Sequence, residues 1–281
     1  MFTFNHAGKI GDILYSLYFC IESSAQFNFS QFNYNIQINK KLSDFGSSSM
    51  PHDFNRDYNQ PILSQADAEF IRPLLESQPF INQVTVREMP EKGAIDLNAF
   101  RRDFINHYGC EIRDWYYTFF AHTLPREFWK KIVHVEPNRR YKDKILFTLT
   151  ERYVNQFIDY RALKRFSKDL VFIGTDGEYQ TFQKKYFELD RVELKKSDSL
   201  LTVAQYLMGA KGYLSNQSGF FALAEVMKIP RILLPPDYVI KEDGKSDIGP
   251  KNNLPLGGWT NSVSFTPRLV DAVKELVNMP N

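Results

Sequence analysis

Apolar and polar positions along the first half of the chain alternate with two periods, that of strands and that of helices. Phe2-Thr3-Phe4 predicts a short strand, and apolar residues between 13 and 21 recur at helical spacing, so a helix is expected to begin near Asp12. The same patterns predict the later elements of this half: a strand over 35–38, a helix over 67–75, a strand over 84–86 and an aromatic stripe at helical spacing over 100–124. Such a stripe is typical of a core or an inter-domain seam.

The second half of the chain repeats the alternation of strands and helices. Strands are predicted over 144–149, 170–174, 212–214 and 231–234, and helices over 157–166, 178–186, 200–208, 220–227 and 267–277. Residues 135–140 are polar and contain a proline, which places a domain boundary near Asn138. We therefore expect an α/β protein of two domains, residues 1–137 and 138–281, with a cleft between them.

Two long polar segments interrupt these elements. Residues 40–65 contain few apolar side chains, and residues 237–260 are rich in Gly, Pro and Asn. Loops of this length are often functional, and the composition of the second one suits a lid beside a binding site.

Composition narrows the class of protein. Apolar residues make up 43% and charged residues 24%, as in globular proteins. The net charge is +2, and no basic run is long enough to indicate a nucleic-acid footprint. Two cysteines, Cys20 and Cys110, form neither a disulfide framework nor a metal-binding pattern, and both are expected to be buried thiols. No apolar run reaches the length of a membrane span and no signal-peptide pattern is present, so a cytoplasmic location is expected.

Two turns carry most of the candidate chemistry. The first, residues 6–12, leads through glycines from a strand to a helix, as at the start of a doubly wound domain, but it matches neither the Walker motif nor Gly-x-Gly-x-x-Gly. The second, residues 216–219, joins an apolar strand to an apolar helix whose free N–H groups suit a phosphate. Each also has a plainer interpretation: Asp12 as a helix cap, and the second turn as part of an ordinary βαβ unit.

These two turns and a motif between them resemble those of a known family. Residues 6–17 resemble the Gly-Asp loop that opens the ADP-heptose-type glycosyltransferases, which are family 9 of the GT-B fold. Phe172-Ile173-Gly174 followed by Glu178 resembles the family's strand–Gly–Glu element, and residues 215–223 resemble its Asp-Ser/Thr-Gly helix start. The three motifs stand in the family's order and span nearly the whole chain.

The resemblance implies two Rossmann-like, doubly wound domains facing across a cleft, with the acceptor bound mainly by the first and the donor by the second. It implies an inverting transfer that needs no metal and no cofactor besides the donor substrate, a nucleoside diphosphate sugar. The acceptor would be a glycan, a lipid-linked compound or a protein. No nucleic acid is expected as a partner, and a peripheral contact with a membrane stays open.

The resemblance also assigns roles by position. Asp12 matches the family's catalytic carboxylate, which takes the proton from the acceptor hydroxyl. Glu178 matches the acidic residue that holds the donor ribose, and the backbone N–H groups of Ser218 and Gly219 would hold the diphosphate. The remaining donor-side positions are Thr148, Thr150, Arg152, Gly174, Asn216 and Gln217, and the acceptor-side positions are His6, Lys9 and Gly11.

Four of these residues also have plainer interpretations. Glu178 suits the first turn of any helix, Arg152 suits a solvated surface, and His6 suits a satisfied histidine at a strand end. Lys9 either reaches the phosphates from across the cleft or is simply exposed.

The chain departs from the family at three places. Gln217 stands where the family has Asp, Ala222 stands where it has His, and residues 150–153 replace a Ser-Lys-Arg-Trp-like segment. These differences leave the base and the sugar of the donor open. Two rival functions therefore remain: a protein of this fold that binds a nucleotide or sugar without transferring it, and an epimerase or hydrolase acting on nucleotide sugars.

Overall fold

The chain divides into two compact units, and the second begins at Trp129. The computed structural model describes residues 1–45, 60–99, 116–117, 119–120, 130–150, 154–186, 192–196, 198–216, 218–235, 260–262 and 266–279. Composition places the boundary near Asn138, but the segment before that residue packs with the second unit because it hydrogen-bonds to its helices. The Ile132 N–H donates to the Val226 carbonyl over 3.0 Å, and the Asn138 N–H donates to the Gln205 carbonyl over 2.9 Å.

The first unit contains a parallel sheet of four strands within the described residues. Its elements are β1 (Thr3–His6), α1 (Ile10–Gln26), β2 (Phe32–Gln37), a 3₁₀ turn (Leu42–Phe45), α2 (Gln65–Glu76), β3 (Ile81–Arg87) and β4 (Ile95–Asp96). The strand order is β3-β2-β1-β4, and every pair is parallel. This is the order of the first four strands of a Rossmann sheet, so the chain order reverses between β1 and β4.

The two faces of this sheet differ in polarity because side chains alternate along each strand. Phe4 and Tyr34 lie on the face that packs against α1, where both are fully buried and the Tyr34 hydroxyl lies 2.8 Å from the Ser16 hydroxyl. The opposite face carries paired amides, since Asn35 Nδ2 donates to Asn5 Oδ1 over 2.8 Å. Both asparagines are buried, and the pairing offsets the cost of removing their amides from water.

The second unit contains a parallel sheet of six strands within the described residues. Its elements are β5 (Ile145–Thr148), β6 (Leu170–Ile173), α3 (Asp176–Lys185), β7 (Glu193–Lys195), α4 (Leu200–Gly209), β8 (Gly212–Asn216), α5 (Gly219–Val226), β9 (Arg231–Leu234), β10 (Thr260–Ser262) and α6 (Thr266–Asn278), with 3₁₀ helices at Arg139–Tyr141 and Tyr160–Phe166. The order is β10-β9-β8-β5-β6-β7. Counted from β5, this is the six-strand Rossmann order, which reverses between β5 and β8.

Both faces of the second sheet are covered. Phe147 and Ile232 belong to the apolar core that α6 closes with Val273, and burying each such side chain contributes about 1.5–3 kcal/mol. On the opposite face, Arg231 of β9 pairs with Glu225 of α5 at 3.7 Å, and both are completely buried. The pair ties α5 to the sheet.

The alternation of strands and helices predicted from the sequence is confirmed in both units. Strands β2 and β3 each begin three residues before their predicted ranges, and three further details differ. Helix α1 begins at Ile10, so Asp12 is its third residue; residues 160–166 form a 3₁₀ helix where an α-helix over 157–166 is predicted; and β7 and β10, with three residues each, are not predicted at all.

Some predictions fall on residues outside the described ranges. These are most of the stripe at 100–124, residues 46–59 of the first long loop, residues 237–259 of the second, and Cys110. Cys20 is buried, as expected. No helix in the described ranges is both long enough and apolar enough to span a bilayer.

Candidate functional site

The carboxyl ends of β5, β6 and β8 lie side by side at one edge of the second sheet. In open α/β sheets, ligands bind at this edge where the strand order reverses, which here is between β5 and β8. The edge is lined by the described residues of three segments, which are 148–150, 174–178 and 215–219 without Gln217. All predicted donor-side residues that the structure describes belong to these three segments, so the fold brings them together.

Ser218 is the N-cap of α5. Its Oγ accepts the Phe221 N–H over 3.1 Å, and its backbone oxygen accepts the Ala222 N–H over 3.1 Å. The helix begins at Gly219, soon after the carboxyl end of β8, so its positive end lies at the ligand-binding edge of the sheet. Backbone N–H groups in a first helical turn have no partner inside the helix, and phosphates bind to such groups in many proteins.

Asn216 and Thr150 hold each other at the same edge. The Asn216 Oδ1 accepts both the backbone N–H of Thr150, over 3.0 Å, and its hydroxyl, over 3.2 Å. In return, Asn216 Nδ2 donates to the Thr150 carbonyl over 2.6 Å. Because the amide is engaged at both ends and is fully buried, the pair fixes the loop after β5 in place. Arg152, the predicted phosphate ligand further along this loop, lies outside the described residues.

Three buried hydroxyl side chains share one face of β5 and β8. Thr148 Oγ1 donates to the Ile173 carbonyl over 2.5 Å, and Ser215 Oγ donates to the Asn216 carbonyl over 2.7 Å. Tyr213, two residues before Ser215, is fully buried, and burial raises its pKa to about 12. Sequence reasoning missed Tyr213 because it lies in an apolar strand; its position two residues before a serine at the strand end was the available signal.

Glu178 closes a capping box with Thr175 at the start of α3. Its Oε2 accepts both the Thr175 N–H and the Thr175 hydroxyl, each over 2.9 Å, and Thr175 Oγ1 accepts the Glu178 N–H over 3.2 Å. Gly174 makes room for this carboxylate, since a Cβ there would lie 2.9 Å from Oε2. No residue in the described ranges donates to Oε1, so that oxygen can accept from a ligand.

In the first unit, a chain of hydrogen bonds through His6 holds the loop after β1. The Gly8 N–H donates to His6 Nδ1 over 2.8 Å, which assigns the ring proton to Nε2. That nitrogen donates to the Tyr116 hydroxyl over 2.7 Å, and the hydroxyl donates to the Asp12 carbonyl over 3.0 Å. His6 and Tyr116 are fully buried. Both ring nitrogens of His6 are therefore bonded inside the protein, and its role toward an acceptor stays a prediction.

Asp12 lies at the start of α1 and is only 8% exposed. Its Oδ2 accepts the Lys9 N–H over 3.1 Å, the bond expected of a third helical residue that caps its own helix. Gly8 permits this arrangement, because a Cβ there would lie 2.7 Å from Asp12 Cβ and 2.8 Å from Oδ2. The neighbouring Lys9 and Gly11 are half-buried. The buried loop thus presents one carboxylate near the carboxyl end of β1.

Asn98, which sequence reasoning did not select, completes this edge of the first sheet. Its Oδ1 accepts the Ala7 N–H over 2.8 Å, and its Nδ2 donates to Gln37 Oε1 over 2.9 Å and to Asp96 Oδ1 over 2.8 Å. It therefore links the ends of β1, β2 and β4. The chain order reverses between β1 and β4, so a ligand of the first unit would bind here.

The structure leaves part of the predicted donor side undescribed. Gln217, like Arg152, lies outside the described ranges. Among the residues that are described, no three His, Cys, Asp or Glu side chains are grouped as a metal ion would require.

Comparison with known proteins finds likeness in structure alone. Neither a family model nor a curated protein matches the sequence. A glycosyl transferase family 9 structure from Veillonella parvula aligns at 11% identity over 100% of this chain and 90% of its own, with a TM-score of 0.58. The ADP-heptose LPS heptosyltransferase II of E. coli aligns at 10% identity over 99% and 98%, with a TM-score of 0.61.

A third structure agrees over part of its length. The dodecameric iron-containing heptosyltransferase TibC, in complex with ADP-D-β-D-heptose, aligns at 12% identity over 92% of this chain and 62% of its own, with a TM-score of 0.52. At these identities the comparisons establish the fold. The chain has the α/β GT-B fold of family 9 glycosyltransferases, which confirms the predicted fold class.

Proposed function

We propose that this chain is a glycosyltransferase that moves a sugar from a nucleoside diphosphate sugar to an acceptor hydroxyl. The observation that carries the proposal is the carboxyl edge of the second sheet. There the Ser218 cap, the amino end of α5 and the Glu178 carboxylate lie around the point where the strand order reverses. The fold shared with family 9 enzymes supports the same function.

In this proposal the second unit binds the donor. The diphosphate accepts hydrogen bonds from the Ser218 hydroxyl and from the first backbone N–H groups of α5, including that of Gly219. Glu178 accepts a ribose hydroxyl through Oε1, because Oε2 is already engaged with Thr175. Negative charge that develops on the leaving diphosphate is stabilised by the helix dipole and its N–H groups, so the transfer needs no metal ion and no cofactor.

Asp12 of the first unit acts as the general base. It takes the proton from the acceptor hydroxyl as that oxygen bonds to the anomeric carbon. The bond from this carbon to the diphosphate breaks, and its electron pair leaves with the diphosphate. Because the attack comes from the side opposite the leaving group, the anomeric configuration inverts. A positioned base of this kind contributes about 10²–10⁴-fold in rate.

ADP-heptose is the first sugar donor to test. The E. coli enzyme is named an ADP-heptose LPS heptosyltransferase, and TibC was solved in complex with ADP-D-β-D-heptose. Gln217 and Ala222 replace the acid and the histidine of the family's helix-start motif, so GDP- and UDP-sugars belong in the same panel. The acceptor is a glycan, a lipid-linked compound or a protein.

The same two replacements favour a second candidate, a protein of this fold that binds a nucleotide sugar without transferring it. The two functions differ in their need for Asp12. A transferase requires a base near the acceptor, whereas in a binding protein the Asp12 carboxylate would serve only to cap its own helix through the Lys9 N–H.

The deciding experiment compares two matched substitutions. Asp12→Asn should keep donor binding within about two-fold and lower release of nucleoside diphosphate by about 10²–10⁴-fold. Asp67→Asn is the control, because Asp67 is also the third residue of a helix in the first unit and accepts the N-cap Ser64 N–H over 2.9 Å, but it is exposed. It should leave turnover unchanged. A chelator should leave turnover unchanged as well.

Two outcomes would contradict the proposal. Equal loss of turnover in Asp12→Asn and Asp67→Asn would assign the effect to helix capping. Donor binding by the wild type without release of nucleoside diphosphate, whatever acceptor is supplied, would favour the binding protein.

A further inference from the structure

Four hydroxyl side chains meet at the carboxyl edge of the second sheet. Tyr213 and Ser215 lie on the same face of β8, because side chains two apart on a strand point the same way. Thr148 of β5 is the register partner of Ser215, so it lies on that face too. Ser218 follows as the N-cap of α5. Each hydroxyl has one proton to donate, and the destinations of these protons can be followed one by one.

Three of the four protons are already committed. Thr148 donates to the Ile173 carbonyl and Ser215 donates to the Asn216 carbonyl. The Ser215 and Ser218 oxygens lie 3.1 Å apart. Since the Ser215 hydroxyl donates its proton to the Asn216 carbonyl, the Ser218 hydroxyl must be the hydrogen-bond donor in that pair. The Ser218 oxygen also accepts the Phe221 N–H, so this hydroxyl is engaged as both donor and acceptor.

The fourth hydroxyl, that of Tyr213, is different. It is fully buried, and within the described part of the chain it makes no hydrogen bond of good geometry, although the hydroxyls of Ser215, Thr148 and Ser218 lie close to it. Burial raises its pKa to about 12, while the nearby hydroxyls of Ser215, Thr148 and Ser218 oppose that rise. Tyr213 therefore stays protonated at neutral pH, close to the three other hydroxyls, with a proton that no described group accepts.

An unpaired buried hydroxyl is costly, because it has left water without gaining a partner. The position of the Tyr213 hydroxyl suggests when it gains a hydrogen-bond partner. A phosphate oxygen that binds at the amino end of α5 accepts the Ser218 proton, so Ser218 has to turn away from Ser215. The Ser215 oxygen then lacks the donor that it has in the ligand-free protein.

We propose that Tyr213 is a reserve donor, which supplies its proton to the Ser215 oxygen when Ser218 turns to a bound phosphate. This inference rests on the proposed nucleotide-sugar site and extends it. It explains how the Ser218 hydroxyl can turn to the phosphate without leaving the buried Ser215 oxygen short of a hydrogen bond. No covalent bond changes. Tyr213 acts through Ser215 and Ser218, so it is a positioning residue.

The test begins with the ligand-free protein. Tyr213→Phe removes the unpaired hydroxyl and should raise the melting temperature by about 2–4 °C. Tyr141→Phe is the matched control, because Tyr141 is also buried in this unit but its hydroxyl donates to Glu193 Oε1 over 3.1 Å, near the amino ends of the strands. It should lower the melting temperature. A lower melting temperature for Tyr213→Phe would show that the hydroxyl is already paired and would overturn the inference without any ligand.

The second step is titration with ADP, GDP, UDP and inorganic pyrophosphate. Tyr213→Phe should bind the tightest of these probes about five-fold more weakly than the wild type, and Tyr141→Phe should bind it equally well. In a Ser218→Ala background there is no hydroxyl that turns from the Ser215 oxygen to the phosphate. There, Tyr213→Phe should change the affinity by less than about two-fold. A merely structural tyrosine would not show this dependence on Ser218.

The outcomes separate this inference from the function on which it rests. If the wild type binds a probe and Tyr213→Phe binds it equally well, the reserve-donor role is wrong and the donor site stands. An equal loss in both backgrounds also overturns the role, because Tyr213 would then act independently of Ser218. If the wild type binds none of the probes, the donor site itself is wrong and the role of Tyr213 fails with it.

Discussion

The loops after β1 and β6 place the same residue types at the same spacing. Residues 8–12 and residues 174–178 both read Gly, N-cap, first helical residue, Gly, acid. In each, the acid accepts the N–H of the N-cap residue. In each, the leading glycine leaves room for that carboxylate, since a Cβ would lie 2.8 Å from an Asp12 oxygen or 2.9 Å from a Glu178 oxygen.

The two loops differ in what surrounds the acid. Asp12 is nine-tenths buried, and its loop is tied into the core through His6 and Tyr116. Glu178 is half-buried, and its N-cap is an exposed threonine whose hydroxyl joins the capping box. One geometry thus serves two tasks. The buried version holds a carboxylate in a fixed place, which suits the base that we propose, and the more open version leaves a carboxylate accessible, which suits the ribose binding that we propose.

The largest effect on stability should come from adding a Cβ at Gly8, compared with the same change at Gly174. Gly8→Ala should lower the free energy of unfolding by about 3 kcal/mol, because the new Cβ meets the buried His6 ring and Asp12 Cβ, which cannot move away. Gly174→Ala should cost less, about 1–2 kcal/mol, because its Cβ would lie 2.9 Å from the mobile Glu178 carboxylate and 2.9 Å from the edge of the buried Phe172 ring, whereas at Gly8 the His6 ring would be only 2.3 Å away. Urea unfolding measures both, and equal losses would contradict the difference between the loops.

The next effect compares two buried tyrosine hydroxyls. Tyr116→Phe removes both hydrogen bonds that join His6 to the Asp12 carbonyl and should destabilise the protein by about 2 kcal/mol. Tyr213→Phe removes an unpaired hydroxyl and should change stability in the opposite direction. Urea or thermal unfolding of the two variants shows the signs directly. The same sign for both would mean that the second edge is as fully hydrogen-bonded as the first.

Much of the fold could be predicted from the sequence because buried strands and amphipathic helices have distinct periods. Strand β9 lies at its predicted residues, and α4 differs by one residue. The short edge strands β7 and β10 were missed because three residues are too few to show a period. The clustering of the donor-side residues was predictable too, since the carboxyl ends of neighbouring parallel strands share an edge.

The sequence could not predict which polar groups are already engaged. Asn216 is bonded to Thr150, and His6 to Tyr116, although the two partners are far apart along the chain in each case. The tertiary packing of strands, helices and loops creates such pairs, and local pattern carries no information about them. For the same reason the reserve hydroxyl of Tyr213 could be found only after every other hydroxyl at the edge had been paired.

A third comparison substitutes the two acids themselves. Glu178→Gln keeps the capping bond, because a glutamine at the third helical position also accepts the N-cap N–H, but it removes the charge that a ribose hydroxyl would bond. Affinity for the bound nucleoside diphosphate should fall about ten-fold. Asp12→Asn should leave that affinity unchanged. Calorimetric titration measures the affinity of both variants for the nucleoside diphosphate. Equal affinities would show that Glu178 does not contact this ligand.

The smallest effect concerns the two N-cap residues. Thr175→Ala should cost about 1 kcal/mol of stability, because the hydroxyl that both donates to and accepts from Glu178 is lost. Lys9→Ala should cost less than about 0.5 kcal/mol, since the capping bond at that position uses the backbone N–H, which alanine keeps. A larger loss for Lys9→Ala would show that the lysine side chain has a structural role in the first loop.

The central claim is that the carboxyl edge of the second sheet binds a nucleoside diphosphate. Thermal unfolding of the wild type with ADP, GDP, UDP and CMP tests it most directly. A ligand present at a hundredfold over its dissociation constant stabilises by about 2.7 kcal/mol, which in a chain of this size raises the melting temperature by about 5 °C or more. The account predicts such a rise with at least one nucleoside diphosphate. An unchanged melting temperature across the whole panel would contradict it.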